Sequence, residues 1–538
     1  MFKRFTVIAF ALLMTGCQHI SNIENSIASK LTSEPNNLTH EDFIAVETDN
    51  DEIFYDISRV SPTQEADPLS EHQVVYGDIW KRIQSQLHLP IAENRRLKIQ
   101  RAWYANHPEY LNRVAKRAEP FLYYIVEEIE KRELPMELAL LPIVESAFDP
   151  FAYSHGRASG LWQFVPGTAE RFGLAQNWWY DGRRDVIAAT KAALDYLEKL
   201  HQQFDGNWLH ALAAYNSGEG RVARAIQKNY RAGENIDFWS LELPKETDAY
   251  VPKLLALADI VKRPHKFNIQ LYSIANVQIM DIVETEHQID LALAADMAGL
   301  HINELHALNP GYNRWATAPD GPHRFLLPLE NAQKLAQTIS NKAPEELITW
   351  QRYQIKSGDT LSTIAQAHQT TVDTIKTANK IKGHTIRRGD YLLIPTSAVH
   401  TKEYKLSAQQ RVLAKQSAYE GSSIDYTVKK GDTFWDISKA HKVNVRDLAK
   451  WNSMAPGDPI YPGQKLKIKV SDSQVGVLSD APTTRKVKYK VRRGDSLARI
   501  AQKFKVSISD IESWNKISRR NYLQPGQMLN LHVDVTQI

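Results

Sequence analysis

Glu145 closes the apolar run Leu140–Val144 and is followed by Ser146, Phe148 and the pair Asp149-Pro150. A carboxyl group set against that much hydrocarbon loses solvation in its charged form, so its pKa climbs toward neutrality. Such a group keeps its proton near pH 7 and can give it to a leaving oxygen, the general-acid step of glycoside cleavage. The usual partner is a second carboxylate, about 5–10 Å away. Asp149 is the nearest candidate in sequence, but Pro150 biases it away from helical geometry, so it is not expected to stack over Glu145. Three other clusters carry groups suited to orienting a polar ligand: Trp162 and Gln163 within Ser159–Pro166, Tyr215 and Asn216 within Ala213–Gly218, and Tyr250 within Glu246–Lys253. Ser146 serves either as a helix cap or as a ligand contact. The 18 His form no HExxH pair, the chain has 1 Cys, and neither GxxxxGK[ST] nor GxSxG occurs. Neither a metal nor a cofactor is therefore expected.

The elements that must carry these groups read as helices. Apolar residues recur at helical spacing over Ile79–Leu87, Phe121–Glu130 and Arg184–Gln203, and over Trp208–Tyr230 on either side of Gly218-Glu219-Gly220. Leu138–Val144 predicts a helix buried on most sides, kinked at Pro142 or carrying it near one end. Residues 74–265 are thus expected to form an all-α domain with long loops.

Beyond it one pattern is written three times. Tyr353, Tyr426 and Tyr489 each precede a Gly-Asp-Thr/Ser turn (Gly358-Asp359-Thr360, Gly431-Asp432-Thr433, Gly494-Asp495-Ser496), and an Asn follows each Gly after 21 positions, at Asn379, Asn452 and Asn515. Equal internal spacing with unequal gaps between copies predicts three autonomous modules on linkers rather than a solenoid. Each copy reads as strand, capped helix, second helix, closing strand, giving βααβ in about 45 residues. The segments 351–397, 424–470 and 487–533 closely resemble LysM domains, whose family role is to bind N-acetylglucosamine units of peptidoglycan or chitin. The resemblance implies glycan contacts at Gly358, Asp359, Thr360, Asn379, Gly431, Asp432, Thr433, Asn452, Gly494, Asp495, Ser496 and Asn515. Residues 266–350 echo the helix-helix-Asn-strand order around Asn309 and read as a degenerate LysM-like or connecting module. Residues 398–423 and 471–486 are linkers by composition.

The four clusters of the helical domain, in this order, resemble those of the family-1 lytic transglycosylases. The family has a lysozyme-like α fold and cleaves the MurNAc–GlcNAc bond of peptidoglycan. The resemblance implies that Glu145 first protonates the glycosidic oxygen, then deprotonates the C6 hydroxyl of the same MurNAc, leaving a 1,6-anhydro end. It also implies that Gln163 and Asn216 orient acetamido groups, that Tyr250 stands near the acid, and that Ser146, Trp162 and Tyr215 line the cleft. The chain departs from the family pattern at Trp162 and Phe164, where Met is common, and at Ser217, where Ala is usual. The fold class expected is multidomain α+β, a lysozyme-like all-α catalytic domain followed by three LysM modules. A lysozyme-type muramidase and a catalytically inactive wall-binding lipoprotein remain open as alternatives.

Lys3 and Arg4, the apolar run Phe5–Leu13 and the small-residue exit at Gly16 describe a secretory signal peptide over residues 1–16. Cys17 directly after it resembles a bacterial lipobox, which implies acylation and a lipid anchor. Gln18 is not the Asp that retains lipoproteins in the inner membrane. The expectation is an outer-membrane lipoprotein facing the periplasm of a Gram-negative cell, with a soluble periplasmic form as the alternative. Residues 17–73 read as a polar tether. From residue 351 onward there are 32 Lys+Arg against 16 Asp+Glu, leaving 34 against 46 for the rest of the chain. A basic half could suit nucleic acid, but an exported chain with its cations spread over linkers fits the cell wall better. The expected partners are peptidoglycan strands and a membrane, not nucleic acid, and the chain is expected to be a monomer.

Overall fold

The computed structural model describes residues 77–417, 423–469 and most of 484–534. The expected signal peptide, Cys17, the tether and Gly494 lie outside the described residues. Contact density divides the chain into one unit running to Ala414 together with Ser453–Asp458, and a second comprising Lys415–Asn452 and Pro459 onward.

In the first unit the catalytic region is all-α. Its helices are α1 (Ile79–Gln86), α2 (Arg95–Ala105), α3 (Pro108–Glu130), α4 (Leu141–Ser146), α5 (Pro166–Arg171), α6 (Val186–Gln203), α7 (Trp208–Ser217), α8 (Glu219–Ala232) and α9 (Lys245–Lys262). Their starts follow from local chemistry. Asp78, Asn94, Asp185 and Asn207 each place a side-chain oxygen on an early backbone N–H of α1, α2, α6 and α7. The apolar run before Glu145 does not form one helix. Met136–Leu140 is a 3₁₀ turn, and α4 begins beyond it with Pro142 in the first turn, where a missing N–H costs nothing. Leu138, Ala139, Leu140 and Leu141 are wholly enclosed. The innermost element is α9, buried from Tyr250 to Val261 apart from Lys253 and packed along α2.

Residues 280–339 repeat the LysM order. β1 (Met280–Glu284) pairs antiparallel with β2 (Arg324–Pro328), with α10 (Leu291–Ala298) and α11 (Ile302–Leu308) between them and α12 (Leu329–Ile339) after. This module shares a core with the catalytic region. Trp179 meets Trp315 edge-on at 5.5 Å, Tyr180 packs on Tyr312, and Arg324 pairs with Asp185 at 3.0 Å. The composition-based linker after the first LysM copy is also folded down. Tyr404 is buried, and its hydroxyl donates to the Asp290 carboxylate at 2.8 Å.

The LysM copies are two-stranded antiparallel sheets covered by two helices. They comprise β3 (Thr349–Gln354), α13 (Leu361–Ala367), α14 (Val372–Ala378) and β4 (Tyr391–Thr396), then, after a short helix α15 (Ala408–Ser417), β5 (Ser423–Thr427), α16 (Phe434–Ala440), α17 (Val445–Trp451) and β6 (Lys465–Lys469). The third copy has β7 (Thr484–Lys490), α18 (Leu497–Phe504), α19 (Ile508–Asn515) and β8 (Met528–Asp534).

The repeated signature turns out to hold each module together. Tyr353, Tyr426 and Tyr489 donate to Asp359, Asp432 and Asp495 at 2.9, 2.7 and 2.8 Å, and each Asp also accepts a backbone N–H of its own turn. Thr360, Thr433 and Ser496 accept from the N–H three residues on, capping the first helix. Gly358 and Gly431 take φ of 89° and 94°, which a turn this tight reserves for glycine. Asn379, Asn452 and Asn515 spend their carboxamides on the backbone. Asn452 donates to Leu448 and Lys467 carbonyls at 2.7 and 2.9 Å and accepts from the Lys467 N–H at 2.7 Å. Asn309 makes the same three bonds in the LysM-like module. In the structure the polar atoms of these Asp, Thr/Ser and Asn side chains tie helix to strand, while Thr360 and Thr433 stay exposed.

Replacing buried Asn452 with Ala strands two carbonyls and an N–H, an expected cost of about 2–4 kcal/mol. In a module this small that is expected to unfold the second copy alone, read as loss of its amide protection in hydrogen exchange of the full chain while the first copy is unchanged.

Candidate active site

Four segments meet around Glu145. The first is α4 itself. It ends in two successive left-handed residues, Ala147 (φ 51°) and Phe148 (φ 56°), a conformation that costs non-glycine residues on the order of 1–3 kcal/mol each. The Phe148 N–H returns to the Pro142 carbonyl at 3.1 Å and the Ala147 N–H to Ile143 at 3.2 Å, closing the helix sharply behind the carboxyl. Glu145 keeps partial exposure while its flanks Ile143, Ser146 and Ala147 are buried.

The second segment is the loop 152–165, positioned by close backbone contact. Gly160 (φ 82°) lies so near Arg183 that an added Cβ would stand 1.9 Å from its carbonyl oxygen. Arg183 is fixed by a two-bond pairing with the buried Asp181 at 2.8 and 2.9 Å and donates to the Arg157 carbonyl at 2.7 Å. Ser146 Oγ crosses from α4 to the Leu161 carbonyl at 3.0 Å. The third segment is the end of α7, where Tyr215 donates to the Trp162 carbonyl at 2.8 Å. The fourth is the start of α9, which brings the hydroxyl of Tyr250 onto Glu145 Oε1 in a short hydrogen bond.

The structure brings Tyr215 and Tyr250 to Glu145, and two of the expected ligand contacts are turned inward. Trp162 is fully enclosed, its indole N–H donating to Thr190 Oγ1 at 3.0 Å, because the loop turns it inward onto α6. Ser146 is 1 % exposed and bonds only carbonyls, so it splices α4 to the loop rather than facing a ligand. Gln163, left-handed at φ 48°, is partly exposed and leans its amide on the Gly160 carbonyl at 2.8 Å. Asn216 is partly exposed, and its carboxamide has no protein partner among the described residues. Sequence reading missed the Asp181–Arg183 clamp. The only signal for it was charge in a Gly-Arg-Arg-Asp stretch, indistinguishable from a solvated turn.

Burial drives the Glu145 carboxyl up to about 7; the Tyr250 hydrogen bond pulls it down, the charge of Glu246 adds to the rise and that of Lys253 opposes it. Burial, then the proximity of Glu145, keeps Tyr215 and Tyr250 protonated. Asp149 is turned to its own loop. It is buried, and its Oδ1 accepts the Phe151 N–H at 2.8 Å. The site can therefore hold one proton near neutral pH and release it to a single face.

Removal of the Tyr250 hydroxyl checks that assignment. The bond stabilises the carboxylate, so Tyr250→Phe is expected to raise the Glu145 pKa. Activity that needs protonated Glu145 is lost as pH rises through this value. The alkaline limb of the pH–rate profile should move up by roughly one unit, with turnover reduced about tenfold as the carboxyl loses its fixed orientation.

This arrangement, an all-α domain presenting one desolvated carboxyl and followed by βααβ modules, matches known sequence profiles segment by segment. The Transglycosylase SLT domain profile covers residues 123–238, the LysM-like domain of lytic transglycosylase MltD covers 279–342, and the LysM domain covers 353–395, 426–469 and 489–531. The molecule is a modular lytic transglycosylase. More narrowly, the chain belongs to the family of membrane-bound lytic murein transglycosylase D: it is 38 % identical to the Escherichia coli K12 protein of that name over 409 residues, 74 % of this chain and 87 % of that one. It is also 38 % identical over 97 residues to the cell wall-binding protein YocH of Bacillus subtilis, covering 18 % of this chain and 30 % of that one. The solved lytic transglycosylase Slt of Pseudomonas aeruginosa aligns at 28 % identity over 27 % of this chain and 24 % of its own, with a TM-score of 0.22.

Proposed function

We propose that the chain cleaves the MurNAc–GlcNAc β-1,4 bond of peptidoglycan without water, leaving 1,6-anhydroMurNAc ends, and that its LysM modules hold it on the wall. One observation carries this reading. The half-buried Glu145, pushed up to about 7, is bonded by Tyr250, and the carboxylate charge that reaches it is that of the exposed Glu246. Glu145 gives its proton to the glycosidic oxygen as the C1–O bond breaks. The resulting carboxylate, held by Tyr250, then accepts the proton of the C6 hydroxyl as that oxygen attacks C1. Net proton uptake is zero and no water enters. The intramolecular nucleophile brings an effective molarity on the order of 10⁵ M or more. Gln163 and Asn216 orient acetamido groups, and Tyr215 holds the loop that carries Gln163.

A hydrolytic muramidase would need a second carboxylate to raise a water nucleophile. Glu246 is the carboxylate whose charge reaches Glu145, and it is exposed at the start of α9. Mass spectrometry of the soluble products separates the readings. The lyase is expected to release muropeptides lighter by one water than a muramidase digest, and reducing MurNAc ends in their place would reject it.

The expected domain limits, with the catalytic domain over 74–265, belong to this proposal. So do the signal peptide over residues 1–16, acylation at Cys17, a monomeric state and an outer-membrane position facing the periplasm. Their support is the sequence of the first 17 residues and the family's membrane-bound relative. Among the described residues no helix is long and apolar enough to cross a membrane.

A further inference from the structure

Helix α2 lies before the segment matched by the SLT profile, which begins at residue 123, yet one of its side chains ends beside the helix that carries Glu145. Gln100 is 5 % exposed, and its carboxamide has no hydrogen-bond partner among the described residues. It lines a cavity of about 20 Å³ together with Trp103, Tyr110, Ile143, Val144 and Lys253. Val144 immediately precedes Glu145, and Lys253 is the cation whose charge reaches the Glu145 carboxyl.

The Gln100 amide is not sealed off from the cavity, so a polar group that enters can pair with it. The same face of α2 places Leu97 and Tyr104 in the core, so a hydrocarbon side chain at position 100 would suit the fold better than glutamine does. We infer that Gln100 is a receptor for an amide group of the bound glycan strand, reached along the flank of Glu145, and that it sets specificity for that group. The inference rests on the peptidoglycan reading above.

The chemistry is reciprocal. A carboxamide offers both donors and an acceptor, and can pair with the C=O and N–H of one secondary amide. The cavity exceeds the roughly 10–15 Å³ that a single water needs, and excludes a whole sugar ring. Its walls are firm: Trp103 stacks on His107 at 4.6 Å and meets Tyr110 edge-on at 5.2 Å, while Tyr110 donates to the Ile143 carbonyl at 3.4 Å. Lys253 in the lining favours the carbonyl end of such an amide. Two sources supply one, the C2 acetamido group of a sugar and the first amide of a peptide stem.

The test uses the full chain carrying Gln100→Leu, with soluble glycan strands that either bear stems or have had them removed by an amidase. KM is expected to rise about three- to tenfold, the worth of a lost hydrogen bond, with a smaller change in kcat and a melting temperature equal to or above wild type. A loss on both substrates assigns the acetamido group, and a loss confined to stem-bearing strands assigns the stem amide. Unchanged KM on both substrates would overturn the inference. So would a melting temperature lowered by several degrees, because the carboxamide would then be serving the protein. Failure of the parent reading looks different: wild type itself would yield no anhydro ends.

Discussion

Glu145→Gln is expected to cut release of anhydro-muropeptides by roughly 10³-fold or more while adsorption to isolated sacculi stays at the wild-type level. General acid–base catalysis by one group contributes on the order of 10²–10⁴, and here the same carboxyl serves as acid in one half-reaction and base in the next, so both steps are lost together. The amide keeps the size and the Tyr250 contact but has no proton to lend. Adsorption survives because the first and third LysM modules have their own cores, separate from that of the catalytic region. Stability moves the other way. A carboxyl that is easier to protonate folded than unfolded is neutral in both states below its unfolded pKa near 4.5. As pH rises through the window between 4.5 and about 7, the unfolded chain ionises first and wild type loses stability. The Gln variant escapes this, so it is expected to melt with wild type at pH 4 and above it at pH 8. A variant that melts lower at both would mean that the lost activity reflects damage to the fold.

The second large effect is on the frame of the site. Gly160→Ala drives a Cβ to 1.9 Å from the Arg183 carbonyl oxygen at a φ of 82°. Neither side can yield easily: the colliding atom is backbone, and Arg183 is clamped by Asp181. Left-handed strain and overpacking together are expected to cost on the order of 4 kcal/mol, a fall of roughly 10 °C in the melting temperature of the catalytic region. Activity should fall further than the unfolded fraction accounts for, because the loop that collides also carries Gln163 and receives the Ser146 and Tyr215 hydrogen bonds. Gly156→Ala in the same loop is the control. Its nearest non-neighbour atom is Ser154 Oγ at 3.7 Å, so both stability and turnover are expected to stay near wild type.

Glu145 was legible in the sequence because its signal is local: a carboxylate ending a run of aliphatics is desolvated wherever that run is buried. Tyr250 was placed near it only by resemblance, since a tyrosine 105 positions away offers no spacing argument. The modules were legible by repetition, but repetition marks whatever the fold cannot do without. The repeated Asp, Thr and Asn proved to be turn locks and caps, a role that a sequence pattern alone cannot separate from ligand contact. Trp162 shows the same limit, because an aromatic in a loop reads as a platform until the loop's direction is known, and that direction depends on Gly160 meeting Arg183 more than twenty residues later. Residues 398–423 read as linker by composition, with Ser, Thr, Gln, Lys and Ala prominent. Buried Tyr404 on Asp290 and buried Leu406, with the Ala408 N–H on the Asn313 carbonyl, fold part of that stretch down.

The most direct test follows the Glu145 carboxyl itself. Difference infrared spectra of wild type against Glu145→Gln, recorded across pH, isolate its carboxylate stretch. A midpoint of about 7, moved up in Tyr250→Phe, is the predicted result. A midpoint in the ordinary carboxylate range near 4.5 would leave no proton on Glu145 at working pH and would contradict the account.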